Sequence, residues 1–243
     1  MLKSDYIGEA LFPTLGKGNT EGSLNTIMAN RKEYHLMRQS VHLTDHQRSM
    51  LIGTLLGDGS LVETTSKKNL RLKIEHCDAQ RDYVFWKYEC LKSFVLTPPK
   101  FQTRNRSWMF KTISHPELTI LGNLFYEKRR KIVPVEITTL LMDPFSLAVW
   151  FMDDGSKNRN DGLILNTQSF TNNETERLKN CLSTNFDIDH VSLQKDKSGW
   201  RLYVQSASSG HMTQIMKPHI LPCLTYKLIS PVETTRRPRR LTS

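Results

Sequence analysis

Two aspartates in this chain stand at the same point of the same short pattern. Leu51–Gly59 reads LIGTLLGDG and Leu147–Gly155 reads LAVWFMDDG, so Asp58 and Asp154 each close an apolar run just before a glycine. A helix that ends in a carboxylate, repeated once, implies two similar halves whose carboxylates meet at one seam. Paired carboxylates at a seam suit metal-assisted phosphodiester chemistry, because hard divalent cations take oxygen ligands. An aspartate at a helix C-terminus also opposes the helix dipole, so two in equivalent places call for a compensating cation. Taken one at a time, each is equally well a turn residue before glycine.

The elements that must hold these aspartates repeat in order. Thr44 with Gln47 makes a capping box, and apolar residues run from there to Leu56 before Gly57-Asp58-Gly59 stops the helix. Leu70–Glu75 alternates as a strand, Arg81–Val95 patterns as a helix, Phe101–Ser114 as a basic hairpin and Pro116–Lys131 as another helix ended before Pro134. The second half begins at Asp143-Pro144, a cap with proline at the first helical position, and runs to Asp154. Gly162–Phe170 then reads as a strand, Thr171–Phe186 as a helix, Val191–Ser206 as a hairpin and Gly210–Ile220 as a helix interrupted by Pro218 and Pro222. A shared order of helix, hairpin, helix, hairpin, helix predicts a duplicated α+β molecule. The domain boundaries expected are 1–42 for an N-terminal extension, 43–140 and 141–230 for the two repeats, and 231–243 for a basic tail.

Composition narrows the partner. Lys and Arg number 34 against 24 Asp and Glu, a net charge of +10 over 243 residues, which favours a polyanion such as nucleic acid. No apolar run approaches the roughly 20 residues of a membrane span, and Met1–Asp5 does not open a signal peptide. Cys77, Cys90, Cys181 and Cys223 form no CxxC pair and read as buried or partly buried free thiols. The histidines show no ligand spacing, and no glycine-rich phosphate loop is present. Trp86, Trp150, Phe151 and Trp200 are expected in the core.

At this point the two nonapeptides, with LILNTQSF after the second and the landmarks Leu96–Lys100 (LTPPK), Lys131–Pro134 (KIVP) and Thr225–Leu228 (TYKL), resemble the LAGLIDADG homing endonucleases of the single-chain, intron-encoded type. The resemblance spans about Leu43 to Leu228. It implies two pseudo-twofold-related αββαββα repeats, a central two-helix interface, and two saddle-shaped antiparallel sheets that lie along DNA. The first signature puts Gly53 and Gly57 on one helix face for a close contact, whereas the second has Val149 and Asp153 at the matching places, with Ala148 still small.

By the same resemblance Asp58 and Asp154 are the catalytic, metal-binding carboxylates, Asp153 not being the aligned one, and the metal is Mg²⁺. Lys131 and Lys227 match the family's active-site lysines, and Asn166 its strand amide, with Lys73 at the corresponding place in the first half. DNA contacts are expected from the outward strand faces, since basic residues outnumber acidic ones nearly threefold between Thr64 and Lys111. The candidates are Arg71, Lys73, Lys100, Arg104, Arg106 and Lys111 in the first half, and Lys157, Arg159, Gln168, Lys195, Lys197 and Arg201 in the second. Arginine and glutamine can read base edges, while lysines more often meet phosphate.

The implied activity is cleavage of both strands of a long, asymmetric double-stranded DNA site by a monomer, spreading the host intron. Two alternatives use the same scaffold: an intron maturase, which binds intron RNA, and a DNA-binding regulator, which the retained carboxylates disfavour. The expected compartment is an organelle or a prokaryotic cytoplasm, with no membrane partner.

Overall fold

The computed structural model describes residues 36, 38–158 and 161–229, so the expectations for 1–35, for Arg159 and for the basic tail lie outside the described residues. In the first half α1 (Asp45–Leu56) leads into β1 (Ser60–Glu63), β2 (Leu70–Cys77), α2 (Arg81–Cys90), β3 (Lys100–Gln102), β4 (Ser107–Lys111) and α3 (Pro116–Phe125). A two-stranded ribbon of β5 (Tyr126–Glu127) and β6 (Arg130–Lys131) and a short helix, α4 (Ile137–Leu140), bridge to the second half. There α5 (Pro144–Asp154), β7 (Gly155–Lys157), β8 (Leu163–Leu165), α6 (Asn172–Phe186), β9 (Val191–Lys195), β10 (Trp200–Val204) and α7 (Ser206–Met216) repeat the order. Two short 3₁₀ turns, Lys217–His219 and Pro222–Lys227, follow.

Each half folds its hairpins into a four-stranded antiparallel sheet, ordered β1-β2-β4-β3 and β7-β8-β10-β9. The molecule is thus the expected α+β duplication, with helices on one face of each sheet and the other face open. In β2 the alternation is sharp: Leu72, Ile74 and His76 are buried, while Arg71, Lys73 and Glu75 turn outward.

The helices α1 and α5 pack side by side and carry the two signatures. Thr44 caps α1 through a complete capping box, accepting from Gln47 N at 3.2 Å while Gln47 Oε1 accepts from Thr44 N at 3.1 Å. Asp143 caps α5, accepting from Ser146 N at 2.9 Å ahead of Pro144. The contact between them is close because glycine stands on one side of it. A Cβ on Gly53 would lie 2.3 Å from the Ser146 carbonyl oxygen, and one on Gly57 would lie 2.4 Å from the Asp153 Cβ. Val149 and Asp153 are therefore accommodated: the small residue is needed on α1 only.

Several element boundaries differ from the sequence expectation. The helix begun at Arg81 ends at Cys90, not Val95, because the chain tightens into a 3₁₀ turn over Lys92–Phe94. The helix begun at Pro116 ends at Phe125, not Lys131. Lys128 turns through a left-handed conformation (φ 56°), which lets 126–131 fold back as the ribbon. Only Leu163–Leu165 of Gly162–Phe170 is strand, since Thr167 turns out of the ladder and Phe170 N closes a turn on its carbonyl at 2.9 Å. The last helix starts at Ser206 and stops at Met216, before Pro218, which has no N–H to offer. The strands β1 and β7 are too short to show alternation.

Trp150 and Phe151 are fully buried, but Trp86 is only partly so, and Trp200 sits at a strand end with the Lys195 ammonium 5.5 Å from its ring centre. All four cysteines are free, yet Cys77 and Cys223 are exposed rather than buried, Cys77 ending β2 and Cys223 lying in the final 3₁₀ turn.

Candidate active site

The seam between α1 and α5 brings the two signature aspartates to one place. Asp58 follows Gly57 at the end of α1, and Asp154 is the last residue of α5. The Asp58 side chain is 46% exposed. Asp154 is more enclosed, and its carboxyl is pushed up to about 7, by burial first and then by the charges of Asp58 and Asp153, against the pull of Lys131 and Lys227. Negative charge is thus concentrated at two helix C-termini, where the backbone dipoles add to it. A donor set of two carboxylates, one of them driven toward its protonated form when no counter-ion is near, fits a hard divalent cation.

The two sequence-predicted lysines occupy matching positions. Lys131 Nζ donates to the carbonyls of Gly57 at 2.6 Å and Gly59 at 2.7 Å; Lys227 Nζ donates to those of Met152 at 2.6 Å and Asp153 at 3.2 Å. Each therefore satisfies carbonyls that a helix end leaves without intrahelical partners. Burial lowers both ammonium pKa values, and the nearby aspartates raise them. Asn166 donates twice to the Asp154 carbonyl, from its backbone at 3.0 Å and its amide at 2.8 Å.

The strand registers revise the counterpart of Asn166. Ser60 and Ser156 each lie two residues beyond a signature aspartate, and they pair with Lys73 and Ile164 respectively. Lys73 thus corresponds to Ile164, and the position equivalent to Asn166 is Glu75. Sequence spacing could not reveal this, because the β1–β2 turn is longer than a comparison of the two strands suggests. Glu75 accepts from Ser107 Oγ at 2.7 Å and from Asn105 at 3.2 Å, and pairs with Lys73 Nζ at 2.6 Å; these contacts, the lysine's largest, hold its carboxyl at about 2.

A third acidic residue, a histidine and a lysine escaped sequence reasoning. Lys87 and Asp153 have side chains with 0% exposure, and Lys87 Nζ donates to Asp153 at 2.7 and 3.0 Å. The other groups nearby are His76, whose Nε2 is 3.5 Å from Lys87 Nζ, and Tyr83, whose ring centre is 4.4 Å from that ammonium. Asp58, His76 and Asp153 bring their ligand atoms within 4.8 Å of one another, but the cation among them is the ammonium of Lys87. The available signal was a lysine inside an aromatic helix run, YVFWKY, whose neighbours had to be buried.

The outward sheet faces hold five of the expected DNA-contact residues. Arg71, Lys73, Lys100 and Lys111 share the open face of the first sheet, with Lys73 directly opposite Lys111. A groove of about 290 Å³ runs beside them, lined by Arg71, Lys100, Lys111, Leu96, Pro98 and Met109 among others. Arg104 and Arg106 lie in the β3–β4 turn, Arg106 at φ 48°. In the second sheet Arg201 faces outward beside Gln194, and Lys197 is in the β9–β10 turn. Gln168 donates to Asn166 Oδ1 at 3.5 Å and Asp196 at 3.2 Å. Lys195 and Lys157 differ from expectation: paired with Trp200 and Leu163, they fall on the core side of the pleat, at strand ends. The alternation expected of the strands gave no register, and a slip of one residue exchanges the faces. Ser192, Gln194 and Tyr203 take the outward places instead.

Comparison with known proteins agrees with this arrangement. A model of the LAGLIDADG DNA endonuclease family matches residues 48–212. The DNA endonuclease I-ChuI of Chlamydomonas applanata is 30% identical over 209 residues, covering 76% of this chain and 95% of that protein. The cytochrome b mRNA maturase bI2 of Debaryomyces hansenii is 26% identical over 231 residues, 90% of this chain and 86% of the other. Among solved structures, the homing endonuclease I-WcaI bound to its DNA recognition sequence superposes with a TM-score of 0.72 at 27% identity, covering 82% of this chain and 92% of that one. With the duplicated signature helices, their paired terminal aspartates and two open sheets, the chain belongs to the LAGLIDADG DNA endonuclease family.

Proposed function

We propose that this protein is a homing endonuclease that hydrolyses both strands of a long, asymmetric double-stranded DNA site as a monomer, leaving 3′ overhangs and promoting the mobility of its host intron. The observation that carries this is the convergence of Asp58 and Asp154 at a seam flanked by two open sheets, the first with a basic outward face and the second with Arg201 and Gln194 outward. Two unlike sheets in one chain suit an asymmetric site, since each reads its own half. Arg71, Lys73, Lys100, Arg104, Arg106 and Lys111 would serve one half-site; Arg201, Lys197 and Gln168, with Lys157 and Lys195 at strand ends, would serve the other, together with Arg159.

Asp58 and Asp154 would hold Mg²⁺, which when bound supplies Lewis-acid stabilisation and an activated water for phosphodiester hydrolysis. The chain's own residues prepare that place. Asp58 offers its carboxylate toward solvent at the mouth of the seam, and Asp154 stands beside it. Lys131 and Lys227 fix the helix ends that carry the aspartates and add positive charge where phosphate would approach. Asn166 ties the Asp154 carbonyl to the second sheet, so the carboxylate and the DNA-facing strands move as one piece.

The similarity to a cytochrome b mRNA maturase over most of both chains supports a second reading, in which the same surface binds intron RNA and assists splicing. Kinship with such proteins supports an organelle or a prokaryotic cytoplasm as the compartment. Among the described residues no helix is long and apolar enough to cross a membrane.

The test is cleavage of a randomised DNA library in Mg²⁺, alongside the Asp58→Asn and Asp154→Asn proteins. Cutting at one long motif, abolished in both variants with binding retained, is expected. Specific binding by the unmodified protein with no cutting in any divalent metal would refute the nuclease, and splicing of a precursor RNA would then decide for the maturase.

A further inference from the structure

The seam is not symmetric, and its asymmetry is a set of buried charges on one side only. Asp153 reaches from α5 into the first half, where Lys87 of α2 holds both its carboxylate oxygens. The same carboxylate accepts the backbone N–H of Asp58 at 3.2 Å. His76 of β2 completes the contact, with Nδ1 3.5 Å from the Asp58 carboxylate and Nε2 3.8 Å from that of Asp153. Asp58 is thereby held at its backbone by a carboxylate that is itself locked to Lys87, with the His76 ring against its side chain.

The pseudo-twofold mates of these residues carry no charge. The place of Asp153 is taken at the C-cap of α1 by Gly57, two residues before the glycine that closes each signature. The place of His76, by the strand registers, is taken by Thr167, whose hydroxyl turns away to the Trp200 carbonyl at 2.9 Å. Lys87 stands as far beyond the N-cap of α2, Gln80, as Leu178 stands beyond the N-cap of α6, Thr171, and both are fully buried. Glycine, threonine and leucine thus face aspartate, histidine and lysine across the axis.

We propose that Lys87 is a positioning residue for Asp58: through Asp153, and with His76, it forms a one-sided clamp that makes one strand cleavage depend on the clamp and leaves the other largely independent of it. This rests on the nuclease reading above. A buried ammonium between two halves fixes geometry, because neither charge can leave its partner without facing an apolar interior. Asp154 lacks that grip and is held instead by Asn166 through its carbonyl. The two cleavage steps therefore run at different rates in the unmodified enzyme.

The experiment uses the full chain and the DNA site recovered from the library, with each strand labelled at its own end. Two variants remove the clamp: Lys87→Leu with Asp153→Ala, which leaves no buried charge unpaired, and His76→Thr, which keeps the Lys87–Asp153 pair. Affinity for the site without divalent metal and the urea midpoint report whether the fold persists. The expected result is a rate at one strand that falls about tenfold more than at the other, so that nicked DNA accumulates, with the smaller effect in His76→Thr. Equal falls at both strands, or no change in the ratio in either variant, would overturn the clamp while leaving the nuclease intact. An unmodified protein that never cuts would remove the reading on which the clamp depends.

Discussion

Replacing Gly53 with alanine adds one methyl group at the closest point of the central helix pair. The new Cβ would sit 2.3 Å from the Ser146 carbonyl oxygen, 2.8 Å from Val149 Cβ and 3.0 Å from Trp150 N. Ordinary contact begins near 3.4 Å, so the helices must separate by about 1 Å. Two of the three atoms are backbone and cannot rotate aside. Overpacking of that kind costs about 3 kcal/mol, offset by about 1 kcal/mol from alanine's better helix propensity, a net loss of about 2 kcal/mol. For a domain of this size the melting temperature should fall by about 4–8 °C. Because the same separation pulls Asp58 away from Asp154, cleavage should fall by about 100-fold.

The control is Gly210→Ala in α7, where a Cβ meets nothing within 4 Å. There the propensity term acts alone, and stability should rise by up to about 1 kcal/mol. The assay is thermal unfolding of both variants with cleavage of the selected site. A Gly53→Ala protein as stable as Gly210→Ala and fully active would refute the close helix contact and the placement of the aspartates that depends on it.

Further outcomes follow from the same geometry. If Asp154, raised to about 7, holds the proposed cation, it must first ionise, so single-turnover cleavage at limiting Mg²⁺ should climb as pH rises through about 7; a rate flat from pH 5.5 to 8 would contradict this. With no divalent metal the folded chain keeps on Asp154 a proton that the unfolded chain releases, so this group's contribution to stability declines as pH rises from about 4 toward 7, readable in urea midpoints. Lys131→Met strips two carbonyls of their donor and should cost about 1–3 kcal/mol in urea unfolding; a loss below about 0.5 kcal/mol would mean the lysine does not hold the helix end. Lys111→Ala should reduce the salt slope of DNA binding by about one, whereas Lys179→Ala, on a helix behind the second sheet, should leave it unchanged.

The duplicated order of elements was legible in the sequence because it rests on local signals. Thr44 and Gln47, and Asp143 and Pro144, cap their helices as their types demand. Helix ends set by tertiary contact were not legible. Phe125 ends α3 because Tyr126 turns into the ribbon, where its hydroxyl accepts from Leu61 N at 3.1 Å, a partner 65 residues away. Register was also out of reach, which is why Lys73 stood in for Glu75 and why Lys157 and Lys195 were assigned to the outer face.

From its sequence alone this protein had two helices closing on aspartate, a basic surface, and the family to which those belong. Periodicity, caps and charge are properties of neighbouring residues, and they survive in a string. The tertiary structure alone decided that Asp153, one residue before a signature carboxylate, is bound within the core to Lys87 beside His76, and that this happens on one side of the axis only. It also decided that Lys131 and Lys227 hold helix ends. The physical reason is that a buried charge takes its meaning from the partner it meets, and here every such partner comes from a distant segment brought close by folding.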